Sequence, residues 1–148
     1  SVLQIVITPA GVNTLATRSA PAMSERRRIT GRCLCGAVTV AVDVDKPIVR
    51  ACHCDMCRRH TSGAYFSLAS IAGTETVTGP AKSYRSSKWA ERGFCATCGS
   101  TLWYGTVGDG VRHFAAGLFD NAAGAPLKLE FFTVNALKAT LWQETIGK

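Results

Sequence analysis

Seven cysteines are the residues of this sequence whose type and spacing best suit chemistry. They form three close groups: Cys33-x-Cys35, Cys52-x-Cys54-x2-Cys57 and Cys95-x2-Cys98. Close spacing is what a metal ion requires, because the thiolates must converge at about 2.3 Å from one Zn²⁺. Gly36 and Gly99 directly follow two of the groups. Glycine permits the positive φ of a tight metal-binding turn, so the pattern predicts metal sites.

The seven thiols divide most simply into a site of four and a site of three. The outer pairs can complete one tetrahedron together, and such a closed four-thiolate site is typical of structural zinc. The central group supplies three thiolates from one short segment. A three-thiolate site leaves a fourth position for water or a substrate atom, as in catalytic zinc. We therefore predict two zinc ions per chain, one on Cys33, Cys35, Cys95 and Cys98, and one on Cys52, Cys54 and Cys57.

Two other interpretations of the central group remain open from the residues alone. His53 or His60 could supply a fourth ligand and make the second zinc structural as well. His53 lies between two of the cysteines, so its side chain is expected to point away from their metal, whereas His60 could reach back from a helical turn. A redox interpretation of Cys54 and Cys57 is disfavoured because no βαβ pattern surrounds them.

The composition narrows the class of protein. The chain has 148 residues, of which 47% are hydrophobic and 18% charged. That length suits one domain with a real core. An odd number of cysteines would leave one thiol over in a secreted disulfide framework, so we expect a reducing compartment and a cytoplasmic location. No segment approaches the ~18 apolar residues of a membrane span.

The charge is positive but unevenly distributed. Of a net charge of +7, much lies before the first cysteine, including Arg26, Arg27 and Arg28. Such a run is more often solvated than a nucleic-acid-binding arm, so we do not expect nucleic acid as a partner. A small anionic ligand fits the charge equally well.

The elements that must position the cysteines are mostly strands. Valines alternate with smaller or polar residues over 38–44, the period of a half-buried strand. Residues 64–69 predict another strand, and Gly108-Asp109-Gly110 predicts a hairpin turn. Residues 54–60 can form a short helical turn. Phe131, Phe132 and Val134 indicate a last strand, followed by a loose tail that carries Trp142.

The first 24 residues differ from the rest, with no cysteine or aromatic residue and only Arg18 as a charge. We interpret 1–24 as a leader that is either disordered or artificially added to the natural chain, and 25–148 as the zinc domain. Ala20-Pro21-Ala22 has the small-residue pattern of a signal cleavage site, but no basic region precedes it.

Three segments resemble the family of glutathione-dependent formaldehyde-activating enzymes, grouped with the centromere protein V-like proteins. They are Gly31-Arg32-Cys33-Leu34-Cys35-Gly36-Ala37-Val38, Cys52-His53-Cys54-Asp55-Met56-Cys57-Arg58 and Gly93-Phe94-Cys95-Ala96-Thr97-Cys98-Gly99-Ser100. Gly117-Leu118-Phe119-Asp120 is similar to a later Gly-x-x-Asp segment of the family. The resemblance covers about residues 29–142. Gly93 departs from it, because a basic or aromatic residue is common there.

The resemblance implies a mainly β, Mss4-like fold of coiled antiparallel sheets stapled by zinc. It also implies a structural zinc on the four outer cysteines and a second zinc on the central three. The implied activity is that of a carbon–sulfur lyase acting in reverse, which condenses glutathione or a similar small anionic thiol with formaldehyde or a related aldehyde to an S-hydroxymethyl adduct.

Candidate substrate contacts follow from the charge of such a thiol. Arg58 and Arg59 directly follow the central cysteines and are our first choice for its carboxylates, with Arg50, Arg85 and Arg92 as weaker candidates. His53, His60 and His113 are candidate proton donors. The alternative function is a zinc-stapled binding module for protein or nucleic acid, without turnover. The oligomeric state is left open.

Overall fold

A computed structural model describes residues 25–137, which fold mainly as β-strands. This part of the chain contains ten strands and one short α-helix. The strands are β1 Arg27–Arg32, β2 Thr39–Val44, β3 Val49–Cys52, β4 Tyr65–Ala69, β5 Thr76–Thr78, β6 Ala81–Arg85, β7 Ala90–Cys95, β8 Thr101–Thr106, β9 Arg112–Ala115 and β10 Leu127–Phe131. The helix α1 is Asp55–Thr61, and 3-10 turns lie at Ala116–Leu118, Asp120–Gly124 and Thr133–Asn135.

The strands form two sheets. The smaller has the order β1-β2-β5, and the larger has the order β10-β3-β4-β9-β8-β7-β6. All pairings are antiparallel except that of β10 with β3, which is parallel. The mainly β fold of antiparallel sheets is therefore confirmed, with this one parallel edge pair as an addition.

The core lies between the sheets and follows from strand alternation. Val40, Val42 and Val44 are buried on one face of β2, as their spacing predicts. They belong to the same core as Leu68 of β4 and Phe114 of β9, which are almost wholly buried. Burial of these side chains stabilises the fold by roughly 1.5–3 kcal/mol each.

The other face of the large sheet carries polar and aromatic side chains. Arg50 and Cys52 alternate with buried residues on β3, and Ser67 and Tyr65 pair with them across β4. Further along the sheet, His113 pairs with Tyr104, and Tyr104 pairs with Arg92. Because directly paired residues project to the same face, these side chains share one surface. That surface is the floor of the candidate site.

Several local predictions can be compared with the structure. The helical turn at 54–60, the strand at 64–69 and the hairpin at 108–110 are confirmed. The last strand ends earlier than the pattern indicates: β10 stops at Phe131, and Phe132 has φ 55° and ψ 42°. The predicted leader and the tail with Trp142 lie outside the described residues.

Candidate metal centres and active site

Four of the cysteines form a candidate metal centre that we call the four-cysteine centre. Cys33 and Cys35 lie in the β1–β2 connection, and Cys95 and Cys98 lie at the end of β7 and in the β7–β8 connection. Their four sulfurs all lie within 4.8 Å of one another. The Sγ atoms of Cys33 and Cys35 are 3.5 Å apart, and those of Cys35 and Cys95 are 3.9 Å apart. Sulfurs bonded to one tetrahedral zinc are separated by about 3.8 Å, so the set fits such an ion.

The turns at this centre need glycine, as the sequence predicts. Gly36 has φ +77° and Gly99 has φ +74°, in the left-handed region that side chains with a Cβ disfavour. The amide of Gly36 donates to the carbonyl of Cys33, and that of Gly99 donates to the carbonyl of Cys95. Each turn thus folds back on its first cysteine, over three residues at Gly36 and over four at Gly99.

Polar hydrogens near the sulfurs favour the thiolate form that a metal binds. The backbone amide of Val38 donates to Cys33 Sγ at 3.3 Å. A hydrogen bond with the Ser100 hydroxyl, 3.2 Å from Cys98 Sγ, is the main reason that the pKa of Cys98 falls to about 5. Ser100 Oγ also accepts from the amide of Leu34, which ties the two turns together. The centre thus joins the small sheet to the large one.

The other three cysteines form a second candidate centre, the three-cysteine centre. Cys52 ends β3, Cys54 is the residue that caps the start of α1, and Cys57 lies in the first turn of that helix. Their sulfurs lie within 4.8 Å of one another, and Cys57 is buried while the other two are partly exposed. Among the described residues, no histidine nitrogen or carboxylate oxygen joins this group. All seven cysteines lack a disulfide partner.

The two histidines considered as a fourth ligand are occupied elsewhere or enclosed. His53 is buried, and its Nε2 lies 3.3 Å from the carboxylate of Glu130, on the strand β10 that pairs with β3. His60 has a buried Nε2 without a hydrogen-bond partner among the described residues. Burial, with a smaller effect of the Arg92 charge, lowers the pKa of His60. His53 therefore fixes the edge strand rather than the metal centre.

Arg92 is a buried cation in contact with the three-cysteine centre. Its Nη1 and Nη2 lie 3.8 and 3.9 Å from Cys57 Sγ. Its guanidinium also lies over the ring of Tyr104, with Cζ 5.2 Å from the ring centroid. The hydrogen bond with Cys52 and burial raise the pKa of the Cys57 thiol in the protein without metal, and they outweigh the Arg92 contact, which lowers it. Arg92 is therefore placed to stabilise the thiolate that a bound metal ion would require at Cys57.

A cavity of about 710 Å³ opens beside the three-cysteine centre. Its floor is the polar face of the large sheet, and its walls come from α1, the β6–β7 turn and the segment after β10. The lining residues are Arg50, Cys52, Cys54, Asp55, Met56, Cys57, Tyr65, Ser67, Trp89, Arg92, Tyr104, His113, Phe131, Phe132 and Asn135. This volume is typical of a small-molecule site.

The structure distinguishes among the arginines that the sequence offers as substrate contacts. Arg58 and Arg59 do not line the cavity: Arg58 pairs with Asp55, and the side chain of Arg59 is 79% exposed. Arg50 and Arg92, the weaker candidates, both line it. Arg85 lies on β6 and donates to the carbonyls of Ser87 and Lys88. A substrate contact from Arg58 or Arg59 stays a prediction.

Of the three histidines proposed as proton donors, His113 lines the cavity. Its ring centroid lies 5.9 Å from that of Tyr104, and its carbonyl accepts a hydrogen bond of 2.6 Å from the hydroxyl of Tyr65. Burial, and then the charge of Arg50, lowers the pKa of His113. The imidazole is therefore neutral at pH 7 and can accept a proton.

Sequence reasoning missed several wall residues, among them Met56, Trp89, Phe132 and Asn135. No spacing rule marks these residues, because they come from separate turns and from the helix. Two residues of the cavity floor can be placed on one face from the sequence alone. Arg50 lies two residues before Cys52 on one strand, and that alternation alone places the two on the same face.

The chain belongs to the glutathione-dependent formaldehyde-activating enzyme family, whose model matches residues 28–135. A Schizosaccharomyces pombe protein described as an uncharacterized lyase is 34% identical over 79 residues. That match covers 50% of this chain and 55% of the yeast protein, so it spans about half of each. A crystal structure of a Rhodobacter sphaeroides protein has the same fold, with a TM-score of 0.54 and 20% identity, and the match covers 68% of this chain and all of that one.

Within residues 25–137, no helix is long and apolar enough to cross a bilayer.

Proposed function

We propose that this protein is a zinc-dependent carbon–sulfur lyase that joins a small thiol to formaldehyde or a related aldehyde, giving an S-hydroxymethyl adduct. One observation carries the proposal. The sulfurs of Cys52, Cys54 and Cys57 converge at the wall of a large cavity, and no fourth protein ligand joins them within the described residues. A small molecule can therefore reach the centre from the cavity side. Family membership and the lyase description of the yeast relative support the same reaction class.

The residues of the three-cysteine centre are suited to zinc, which prefers thiolate ligands and four-coordination. Zinc bound there would lower the pKa of an incoming thiol and hold it as a thiolate. Arg92 compensates the negative charge of the cysteine sulfurs from the buried side. Tyr65 and Tyr104 form the floor beneath the space that a thiol would enter.

Proton transfer falls to His113 in this proposal. In the reaction the thiol loses a proton, the sulfur forms a bond with the aldehyde carbon, and the carbonyl oxygen gains a proton. Neutral His113 accepts the thiol proton and returns it to the oxygen. Because burial and Arg50 lower the pKa of His113, the base form dominates at neutral pH. The rate should fall in acid, where the imidazole is already protonated.

The alternative of a binding module draws less support from the described residues. A flat, free basic face around Arg26 to Arg32 would favour it. Instead, Arg26 and Arg28 both pair with Asp43, at 2.7 and 2.9 Å. These two arginines lower the pKa of Asp43, as expected for paired rather than free charges.

Exchange spectroscopy with ¹³C-formaldehyde and a small thiol tests the proposal directly, since it measures adduct formation at equilibrium. We expect the zinc protein to accelerate exchange and Cys54→Ser to abolish the acceleration. His113→Gln should slow exchange by about 10² and remove the acidic limb of the pH–rate profile. His60→Gln is the matched control, because its ring does not line the cavity. If the protein holds both metal ions but exchange proceeds at the uncatalysed rate, the lyase proposal is wrong.

A further inference from the structure

The walls of the cavity are unusually apolar and exposed for a site that would bind glutathione, a charged tripeptide. Trp89 and Phe132 are each 60% exposed, and Met56 is 41% exposed. They come from the β6–β7 turn, the end of β10 and α1, and converge on one cavity. Exposed apolar side chains grouped in this way mark a surface that binds an apolar partner.

Phe132 adds a second observation that points to a ligand. Its φ of 55° and ψ of 42° place a bulky residue in the left-handed region. That conformation is disfavoured for any residue other than glycine, because Cβ comes too close to the following carbonyl oxygen. It nevertheless leaves the aromatic ring exposed at the cavity rather than buried in the core. Strain of this kind persists at functional sites, where it orients a side chain for binding.

The charges of the lining suit one carboxylate. Arg92 is committed to Cys57 and to the ring of Tyr104. Arg50 is partly buried on the floor, and among the described residues no carboxylate lies within ion-pair distance of it. It is therefore the cation of the lining that is left for an anionic ligand.

Glutathione does not match this lining, because it carries two carboxylates and an ammonium group. The ammonium group would need a carboxylate that is not already paired with an arginine. Asp55 is the carboxylate of the lining, and Arg58 already pairs with it, with Arg59 at 3.9 Å. Glutathione would also leave the Trp89 and Phe132 surface without an apolar partner.

We infer that the preferred thiol of this site carries a single carboxylate, bound by Arg50, and an aromatic or similarly large apolar group, bound between Trp89 and Phe132. This inference rests on the proposed function, and it concerns the part of the thiol that does not react. The sulfur would face the three-cysteine centre while the apolar group lies against the outer wall.

A matched series of thiols tests the inference on the zinc-loaded full chain by isothermal titration calorimetry. The probes are 2-mercapto-3-phenylpropanoate, 2-mercaptopropanoate, which lacks the phenyl ring, 2-mercapto-3-phenylpropan-1-ol, which lacks the carboxylate, and glutathione. We expect the first to bind about tenfold or more tightly than each of the others, because ring burial and the arginine contact both contribute. Glutathione binding as tightly as the phenyl compound would overturn the inference.

Variants assign the two contacts. Trp89→Ala should remove the affinity gained from the phenyl ring. Tyr84→Ala should not, since Tyr84 is an exposed aromatic residue outside the cavity. Arg50→Gln should remove the affinity gained from the carboxylate, and Lys82→Gln should not, since Lys82 is an exposed cation outside the cavity. Affinity for the phenyl ring that survives Trp89→Ala, or affinity for the carboxylate that is lost with Lys82→Gln instead, would contradict the assignment.

The thiol-free compound 3-phenylpropanoate separates this inference from the proposed function. If this compound binds, and if Trp89→Ala and Arg50→Gln each weaken its binding, the assigned contacts are supported. Should no thiol reach the metal at the same time, the lyase proposal is wrong and the inference about the contacts still stands. Adduct formation with glutathione preferred over the phenyl thiol would leave the lyase standing and overturn this inference.

Discussion

The guanidinium of Arg92 lies against the sulfur of Cys57, with Nη1 and Nη2 at 3.8 and 3.9 Å. The two residues are 35 positions apart in sequence and meet because β7 and α1 approach the same cavity. Both are buried, so water screens their interaction weakly. Arg92 is thus placed to offset the negative charge that three thiolates concentrate at one point.

Replacing Arg92 with Gln should weaken metal binding at the three-cysteine centre. Residues that hydrogen-bond to metal ligands typically change metal affinity by about 10- to 100-fold when they are mutated. Competition with a chromophoric chelator would measure the loss. Lys82→Gln removes one positive charge from an exposed site on β6 and should leave the affinity unchanged. Equal losses in both variants would indicate a general effect of net charge instead.

The reduced protein should hold two zinc ions per chain and no disulfide. The reason is that both sulfur groups are compact enough for one tetrahedral ion each, and all seven cysteines are free. Native mass spectrometry would count the ions, and thiol titration after denaturation would count the cysteines. One zinc ion, or the visible absorption of an iron–sulfur cluster, would contradict this assignment.

Loss of one ligand should have different consequences at the two centres. Cys98→Ser opens the centre that joins the two sheets, so we expect unfolding or aggregation, since closed zinc sites contribute several kcal/mol to folding. Cys54→Ser affects a centre formed within the single segment 52–57, so the fold should survive with a weaker metal site. Thermal denaturation followed by circular dichroism makes the comparison. An equal fall in Tm would mean that the three-cysteine centre is structural too.

Gly93 should not tolerate a side chain. A Cβ at Gly93 would lie 2.2 Å from the ring of Trp103, the residue paired with it on β8. Gly93→Ala should therefore lower the free energy of unfolding by about 1–3 kcal/mol. Gly105→Ala is the matched control, because its nearest contacts would be at 3.5 Å. Chemical denaturation of both variants tests this, and equal stabilities would show that Trp103 can move aside at little cost.

Features that depend on neighbouring residues could be predicted from the sequence. The cysteine groups predict the ligands of the two metal centres, because cysteines two or three residues apart converge locally. The two outer pairs of the four-cysteine centre are nevertheless distant in sequence and meet only when the two sheets assemble. Local spacing also predicts the turns at Gly36 and Gly99, whose positive φ is a local requirement. Valine alternation predicts β2 and its buried face for the same reason. The division of seven cysteines into four and three followed from spacing as well, and the sulfur positions agree with it.

Only the tertiary structure shows which arginines lie beside the three-cysteine centre and its cavity. Arg58 and Arg59 are nearest to the cysteines in sequence, yet both pair with Asp55 and neither is among the residues that line the cavity. Arg92 reaches Cys57 because the register of β7 against β8 places it beside Tyr104, and no local pattern fixes that register.

The cavity itself also depends on the tertiary structure. Residues from α1, from the β6–β7 turn and from the segment after β10 form its walls, and those segments meet only when the sheet has assembled. The sequence by itself determined which atoms can hold metal, because ligand spacing is a local property of the chain. Strand register and packing between distant segments are collective properties, so only the tertiary structure decided which charged and aromatic side chains lie around the three-cysteine centre.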